Sequence, residues 1–225
     1  MGHVALRFDL RYHRPMQPGA ADADTALTGV ALREAKRALR ARMIGARDAL
    51  DEGPRAAASR AIVARIAGLP SFAAARCVLV TLPFGSEWDT RPLALAALAS
   101  GKTLVVPRVN NASRMLELHV VADIVRDVTA GYRDIPEPLP GLPQVAAEKI
   151  DWVLVPGVAF GPGGSRLGYG GGYYDRLMIT LPPGAARVAG AFDAQIVAHI
   201  PAASHDLRVD LVVTESRILH GSTRA

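Results

Sequence analysis

Residues 151–175 read DWVLVPGVAFGPGGSRLGYGGGYYD, and this order of residue types dictates one structural unit. The apolar run from Trp152 to Phe160 predicts a buried strand. It empties into a loop with glycine at 161, 163, 164, 168, 170, 171 and 172. Arg166 sits within that loop, Tyr173, Tyr174 and Asp175 close it, and Leu177 and Met178 begin a helix. Strand, glycine loop and helix together present backbone N–H groups and a helix N-terminus to a phosphate. Glycine lets the backbone approach such a ligand closely and take up positive φ. A flexible linker would be rich in Ser or Pro, not in Arg, Tyr and Asp. The spacing is not a dinucleotide fingerprint either, because Tyr173 stands where G-x-G-x-x-G needs its last glycine.

The same alternation runs through most of the chain. From Leu27 to about Leu50 the pattern is helical, with Leu32, Leu39, Met43 and Leu50 on one stripe. Lys36, Arg40 and Arg47 lie beside that stripe, nearly on one face. Gly53-Pro54 breaks this helix, and a second is expected from Pro54 to Ala67. Strands are expected at 77–84, 102–109, 115–121, 151–160, 186–192 and 210–214. Asp89 or Thr90 is placed to cap a helix that carries Pro92 in its first turn and runs to Ser100. The loop at 131–149 carries Pro136, Pro138, Pro140 and Pro143, and should be irregular. Such a sequence argues for an α/β fold with a mostly parallel sheet and helices on both faces. Ligands then bind beyond the C-terminal ends of the strands. Residues 1–26 show no clean period and read as a disordered extension, with a single α/β domain over 27–225.

Several classes of protein are set aside by composition. No apolar run approaches the ~20 residues needed to cross a bilayer. The N-terminus lacks a signal-peptide core, and Leu6 stands where a myristoylation site needs Ser or Thr. The single cysteine, Cys77, reads as a buried inert thiol, so the expected setting is the reduced cytoplasm. The formal net charge is +5, and residues 1–60 contribute +4 of it. A basic arm fits nucleic acid or a phosphate-bearing small molecule. Only 5% of residues are aromatic and none interleave with the basic run at 33–47, which argues against nucleic acid.

Other candidate groups are fewer. Gly101-Lys102-Thr103 mimics the end of a P-loop, but Ala96 stands where its first glycine should be, and a helix C-cap explains Gly101 better. Asp89 reads as a helix cap, whereas Glu87 faces the predicted crevice either as a solvated acid or as a ligand contact. Asp175 and Asp206 serve as caps alone, or as a Mg²⁺ site if they converge on bound phosphates. The six histidines show no zinc spacing, and His205 reads as a surface residue.

KRALR (36–40), EWDT (87–90), IPEP (135–138), VPGVAF (155–160), RLGYGGGYYDR (166–176) and HDLRVD (205–210) occur in that order. Together they resemble the 5-formyltetrahydrofolate cyclo-ligase family, also called 5,10-methenyltetrahydrofolate synthetases, over about residues 30–217. The resemblance implies a fold similar to the sugar-phosphate isomerase and CoA-transferase group. It implies ATP- and Mg²⁺-dependent closure of 5-formyltetrahydrofolate to 5,10-methenyltetrahydrofolate, with release of ADP and phosphate. It would place Lys36, Arg37, Ala38, Leu39 and Arg40 on ATP, together with Arg166, Leu167, Gly168, Tyr169, Gly170, Gly171, Gly172, Tyr173 and Tyr174. Lys36, Arg40 and Arg166 would carry the catalytic charge. Leu82 and Glu87, with Tyr169 to Tyr173, would line the folate pocket, and Asp175 and Asp206 would hold Mg²⁺. Some members of the family carry lysine where this chain has Gly171, which leaves open how the loop's phosphate charge is balanced here. Two other readings stand beside this one: a basic RNA- or nucleotide-binding module without turnover, and a related ligase or transferase on the same scaffold.

Overall fold

The computed structural model describes residues 29–203 and 206–222. The expectations for residues 1–26 and for His205 fall outside them. Helix α1 (Gly29–Asp48) is followed by α2 (Glu52–Ala67) and the short α3 (Pro70–Ala74). Strand β1 (Cys77–Leu79) leads to α4 (Arg91–Ala99), β2 (Thr103–Asn110) and β3 (Met115–Val120). A ribbon of β4 (Val128–Ala130) and β5 (Pro136–Pro138) precedes β6 (Trp152–Leu154). A second ribbon, β7 (Ala159–Phe160) and β8 (Arg166–Leu167), leads to α5 (Tyr173–Thr180). Strands β9 (Ala186–Gly190), β10 (Leu211–Val213) and β11 (Ile218–His220) complete the chain.

Seven strands form one sheet in the order β11-β10-β9-β6-β1-β2-β3. The inner pairings are parallel, and only β2 with β3 and β10 with β11 are antiparallel. Successive side chains of a strand point to opposite faces, so each strand feeds two cores. Val78, Leu104, Leu154, Val188 and Val213 pack on one face with Ile62 and Ile66 of α2 and Leu93 and Ala97 of α4. Leu79, Val105, Val153, Ala189 and Val212 pack on the other with Leu177 and Met178 of α5. The expected α/β architecture with helices on both faces is therefore the one observed. Helix α1 lies apart from these layers, and its Leu39 and Met43 bury against Val158, Ala159, Leu167 and Ile200.

The element boundaries depart from the sequence reading in an instructive way. The strand expected at 77–84 pairs only to Leu79, and the one expected at 151–160 divides into β6 and β7. The first run continues past the sheet to line a cavity with Thr81, Leu82 and Phe84, whereas the second passes Pro156 and buries Val158 and Ala159 beneath α1. The stretch 131–149 is not wholly irregular, because Pro136 and Pro138 lie in β5 at the edge of a two-stranded ribbon. A two-stranded edge is where proline's missing N–H is tolerated. At α4, Asp89 does the capping: its Oδ1 accepts the Arg91 N–H at 3.1 Å. Thr90 instead sends its hydroxyl to the Thr81 carbonyl at 2.7 Å.

Trp88 shows how closely the loop after β1 is held. Its indole N–H donates to the Gly190 carbonyl at 2.8 Å, and its ring lies where a Gly190 side chain would begin, 2.3 Å from an ideal Cβ. Gly190→Ala must displace this buried ring and should cost about 1–3 kcal/mol. Chemical denaturation would show this as a lowered midpoint with an unchanged slope.

Candidate functional site

Beyond the C-terminal ends of β1, β2 and β6 lies a cavity of about 420 Å³. Thr81, Leu82, Phe84 and Glu87 form one wall, Pro107 and Val109 of β2 another, and Ile135 to Glu137 a third. The glycine loop from Gly168 to Gly172, with Tyr173, Tyr174 and Asp175, closes it. Gly170 and Gly172 have φ of 99° and 69°, a region only glycine enters freely. Gly172 is the residue from which α5 starts.

Arg166 stands beneath the loop with its side chain 4% exposed. Its Nη2 meets Asp175 Oδ1 at 2.5 Å and its Nη1 donates to the Pro156 carbonyl at 3.2 Å. Its Nε–H is buried without an acceptor among the described residues. The loop is gripped from two further sides. Arg40 of α1 donates from Nε to the Gly168 carbonyl at 2.7 Å, and its guanidinium lies 3.4 Å from where a Gly170 Cβ would stand. Arg176 donates to the carbonyls of Arg114 and Gly171 at 2.8 and 3.0 Å, and lies over the Tyr173 ring. Lys36, one turn before Arg40, pairs with Asp206 Oδ2 at 2.5 Å. The charge of Asp206 reaches Arg40 as well, opposing the burial that pulls the Arg40 guanidinium below its ordinary range.

A second network joins the loop to the wall after β1. Tyr169 Oη donates to Glu87 Oε1 at 2.5 Å, and Arg47 Nη1 donates to Tyr169 Oη at 2.8 Å. Arg47 Nε reaches Ser86 Oγ at 2.9 Å, and Ser86 in turn bonds Asp48. Glu87 is held well above its usual range by burial, opposed by the Tyr169 hydrogen bond, Arg47 and the Phe84 N–H. Burial also raises the Tyr169 phenol, which therefore remains protonated and donating. Of the two readings left open for Glu87, the structure supports the cavity contact and not the solvated acid.

The expected residues thus fall into distinct places. Arg166, Gly168 to Asp175, Leu82 and Glu87 meet around one cavity. Lys36 and Arg40 stand beside it on α1, with Asp206. Arg37 and Ala38 are exposed, while Leu39 and Leu167 are buried in the small core beneath α1. Asp175 and Asp206 each face a cation, and no group of three or more His, Cys, Asp or Glu side chains gathers among the described residues. Arg47 was not among the expected site residues. The available signal was its place on the face of Lys36 and Arg40, with 4% exposure revealing its role only after folding.

Comparison with known proteins agrees with this geometry. Residues 32–215 match the model of the 5-formyltetrahydrofolate cyclo-ligase family. A 5-formyltetrahydrofolate cyclo-ligase of Escherichia coli is 30% identical over 162 residues, covering 68% of this chain and 86% of that protein. One from Mycolicibacterium smegmatis is 29% identical, covering 81% and 94%. The solved structure of Aquifex aeolicus 5,10-methenyltetrahydrofolate synthetase superposes with a TM-score of 0.73 at 31% identity, over 84% of this chain and 95% of that one. The fold is that of a ligase family. The chain belongs to the 5-formyltetrahydrofolate cyclo-ligase family.

The buried Glu87 predicts a pH signature. Between its ordinary 4.5 and its raised folded value, the folded state holds a proton that the unfolded state has lost. Stability contributed by this group is therefore present at acid pH and lost as pH rises through that window. Glu87→Gln should gain on the wild type as pH rises above 4.5, read as a difference in Tm that grows with pH through that window. A second expectation concerns Arg47. Arg47→Met leaves Tyr169 and Ser86 each short of a donor and should cost about 1–3 kcal/mol. Arg47→Lys should not restore the loss, because an ammonium lacks the planar fork that reaches both partners.

Proposed function

We propose that this protein is an ATP-dependent ligase that closes 5-formyltetrahydrofolate to 5,10-methenyltetrahydrofolate, releasing ADP and phosphate. The observation that carries the reading is the double use of the glycine loop. One edge of it forms a cavity wall with Glu87 and Leu82, and the other is gripped by the cations of α1. A loop so placed serves a phosphate on one side and a flat heterocycle on the other.

The chemistry asks for charge and position more than for a protein nucleophile. A formamide oxygen is a poor leaving group. Transfer of the γ-phosphoryl to that oxygen breaks the bond to the β-bridging oxygen, leaves ADP, and forms an iminium phosphate. The substrate's N10 then attacks the activated carbon and inorganic phosphate departs. Arg166, Arg40 and Lys36 supply positive charge along the path, and the glycine N–H groups add directed dipoles. Burial of Arg166 keeps its field unscreened. Asp175 holds Arg166 in place, and Asp206 does the same for Lys36.

The donor set also suits Mg²⁺. That ion takes one or two carboxylates and completes its shell with phosphate oxygens and water, and the side chains of Asp175 and Asp206 are 34% and 23% exposed. Those two residues would hold it, and when bound it would neutralise phosphate charge.

Mixing the protein with MgATP and 5-formyltetrahydrofolate should give methenyl absorbance, with one ADP formed per product. Asp175→Asn should lower turnover by about 10²-fold or more and raise the Mg²⁺ concentration needed for half-maximal rate. Folded protein that yields no methenyl product, yet binds RNA in a salt-dependent manner, would overturn the reading.

A further inference from the structure

Thr81 lies just past β1 on the cavity wall, and the proposed function assigns it no role. Its backbone is fixed: the buried Thr90 hydroxyl donates to the Thr81 carbonyl at 2.7 Å. Its side chain is fixed as well, because Tyr174 Oη stands 3.0 Å from Thr81 Oγ1. Two hydroxyl hydrogens share this one contact, and only one of them can lie within it. Thr81 Oγ1 is the acceptor available to the Tyr174 phenol among the described residues. Burial raises that phenol well above its ordinary range, so it stays protonated and carries its hydrogen throughout. The phenol is the stronger donor and the aliphatic hydroxyl the better acceptor of the two, and the 3.0 Å contact runs from Tyr174 Oη to Thr81 Oγ1. Tyr174 therefore donates, and the Thr81 hydrogen is left to the cavity.

We propose that Thr81 is a substrate-binding residue, whose hydroxyl, aimed by Tyr174, donates a hydrogen bond to an oxygen or ring-nitrogen acceptor of the heterocycle in the 420 Å³ cavity. The inference rests on the folate reading above. It adds to that reading a polar specificity contact beside an otherwise largely apolar wall of Leu82, Pro107, Val109 and Ile135. A site built to donate to a substrate acceptor discriminates against analogues that lack it, because the donor is then left unpaired.

The test uses Thr81→Val, which keeps shape and removes the hydrogen. Binding of 5-formyltetrahydrofolate by calorimetry without nucleotide, and KM in the coupled reaction, should both weaken about tenfold. KM for MgATP should stay close to wild type, while the thermal midpoint should fall modestly because Tyr174 loses its acceptor. Thr81→Ser should restore folate affinity to within about threefold, since it keeps the hydroxyl. Tyr174→Phe should weaken folate affinity less than Thr81→Val, and the double variant should be no worse than Thr81→Val alone, as expected for groups acting as a unit. Equal affinity of wild type and Thr81→Val would overturn the proposal while leaving the ligase reading in place. So would a Tyr174→Phe loss larger than that of Thr81→Val, which would make the phenol the donor. If Thr81→Ser bound as poorly as Thr81→Val, the role would be one of packing and the proposal would fall. Wild-type protein that bound no folate would overturn the ligase reading and this inference with it.

Discussion

A guanidinium buried under a glycine loop sets the conditions that the surrounding structure meets. Removing the Arg166 charge from water is costly unless partners replace the lost hydration. Asp175 at 2.5 Å and the Pro156 carbonyl supply part of that replacement. They come from opposite ends of the segment, one past β6 and the other in the first turn of α5. The pair therefore draws strand exit and helix start together, and the loop between them must turn back on itself. That turn is why left-handed glycines stand at 170 and 172. The Arg166 Nε–H stays buried without an acceptor among the described residues.

The positive charge around the loop is imported. Within Gly168–Gly172 there is no cation at all. Arg40 arrives from α1, and Arg176 from α5, held through the β2–β3 turn at Arg114. Both approach carbonyl groups of the loop, so they tighten its shape as they place their charge. At Gly171 the space that a side chain would need is taken by the Tyr173 ring, 2.7 Å from an ideal Cβ. The positive charge beside this loop comes instead from arginines reaching in from neighbouring helices.

Much of this was legible in the residue order. Short apolar runs pointed to the inner strands, and the strand–loop–helix unit at 151–175 pointed to the loop that closes the cavity. What the pattern missed has local physical reasons. An apolar run does not say whether it faces a helix or a cavity, so Thr81 to Phe84 read as strand although they line the site. The ribbon at Val128–Pro138 and the edge strand β11 are three residues long on each side, too short to show a period. Arg47 read as one more cation on a basic helix face, because the groups that bury it lie about 40 and 120 residues away in sequence. Pairings of that range are tertiary facts with no local trace. The same holds for Lys36 with Asp206.

The chain of Arg47, Tyr169 and Glu87 joins α1, the glycine loop and the wall after β1 through hydrogen bonds. Tyr169 cannot swing away without stranding either an arginine or a carboxyl group in a dry place. The two halves of the cavity therefore do not fill independently. Any ligand that draws the loop into a new position alters the standing of Glu87, and one that engages Glu87 alters the loop in return. Such coupling is reciprocal by thermodynamic necessity: each ligand changes the affinity for the other by the same factor. A single phenol, hydrogen-bonded to an arginine on one side and a carboxyl group on the other, links the two walls of this pocket.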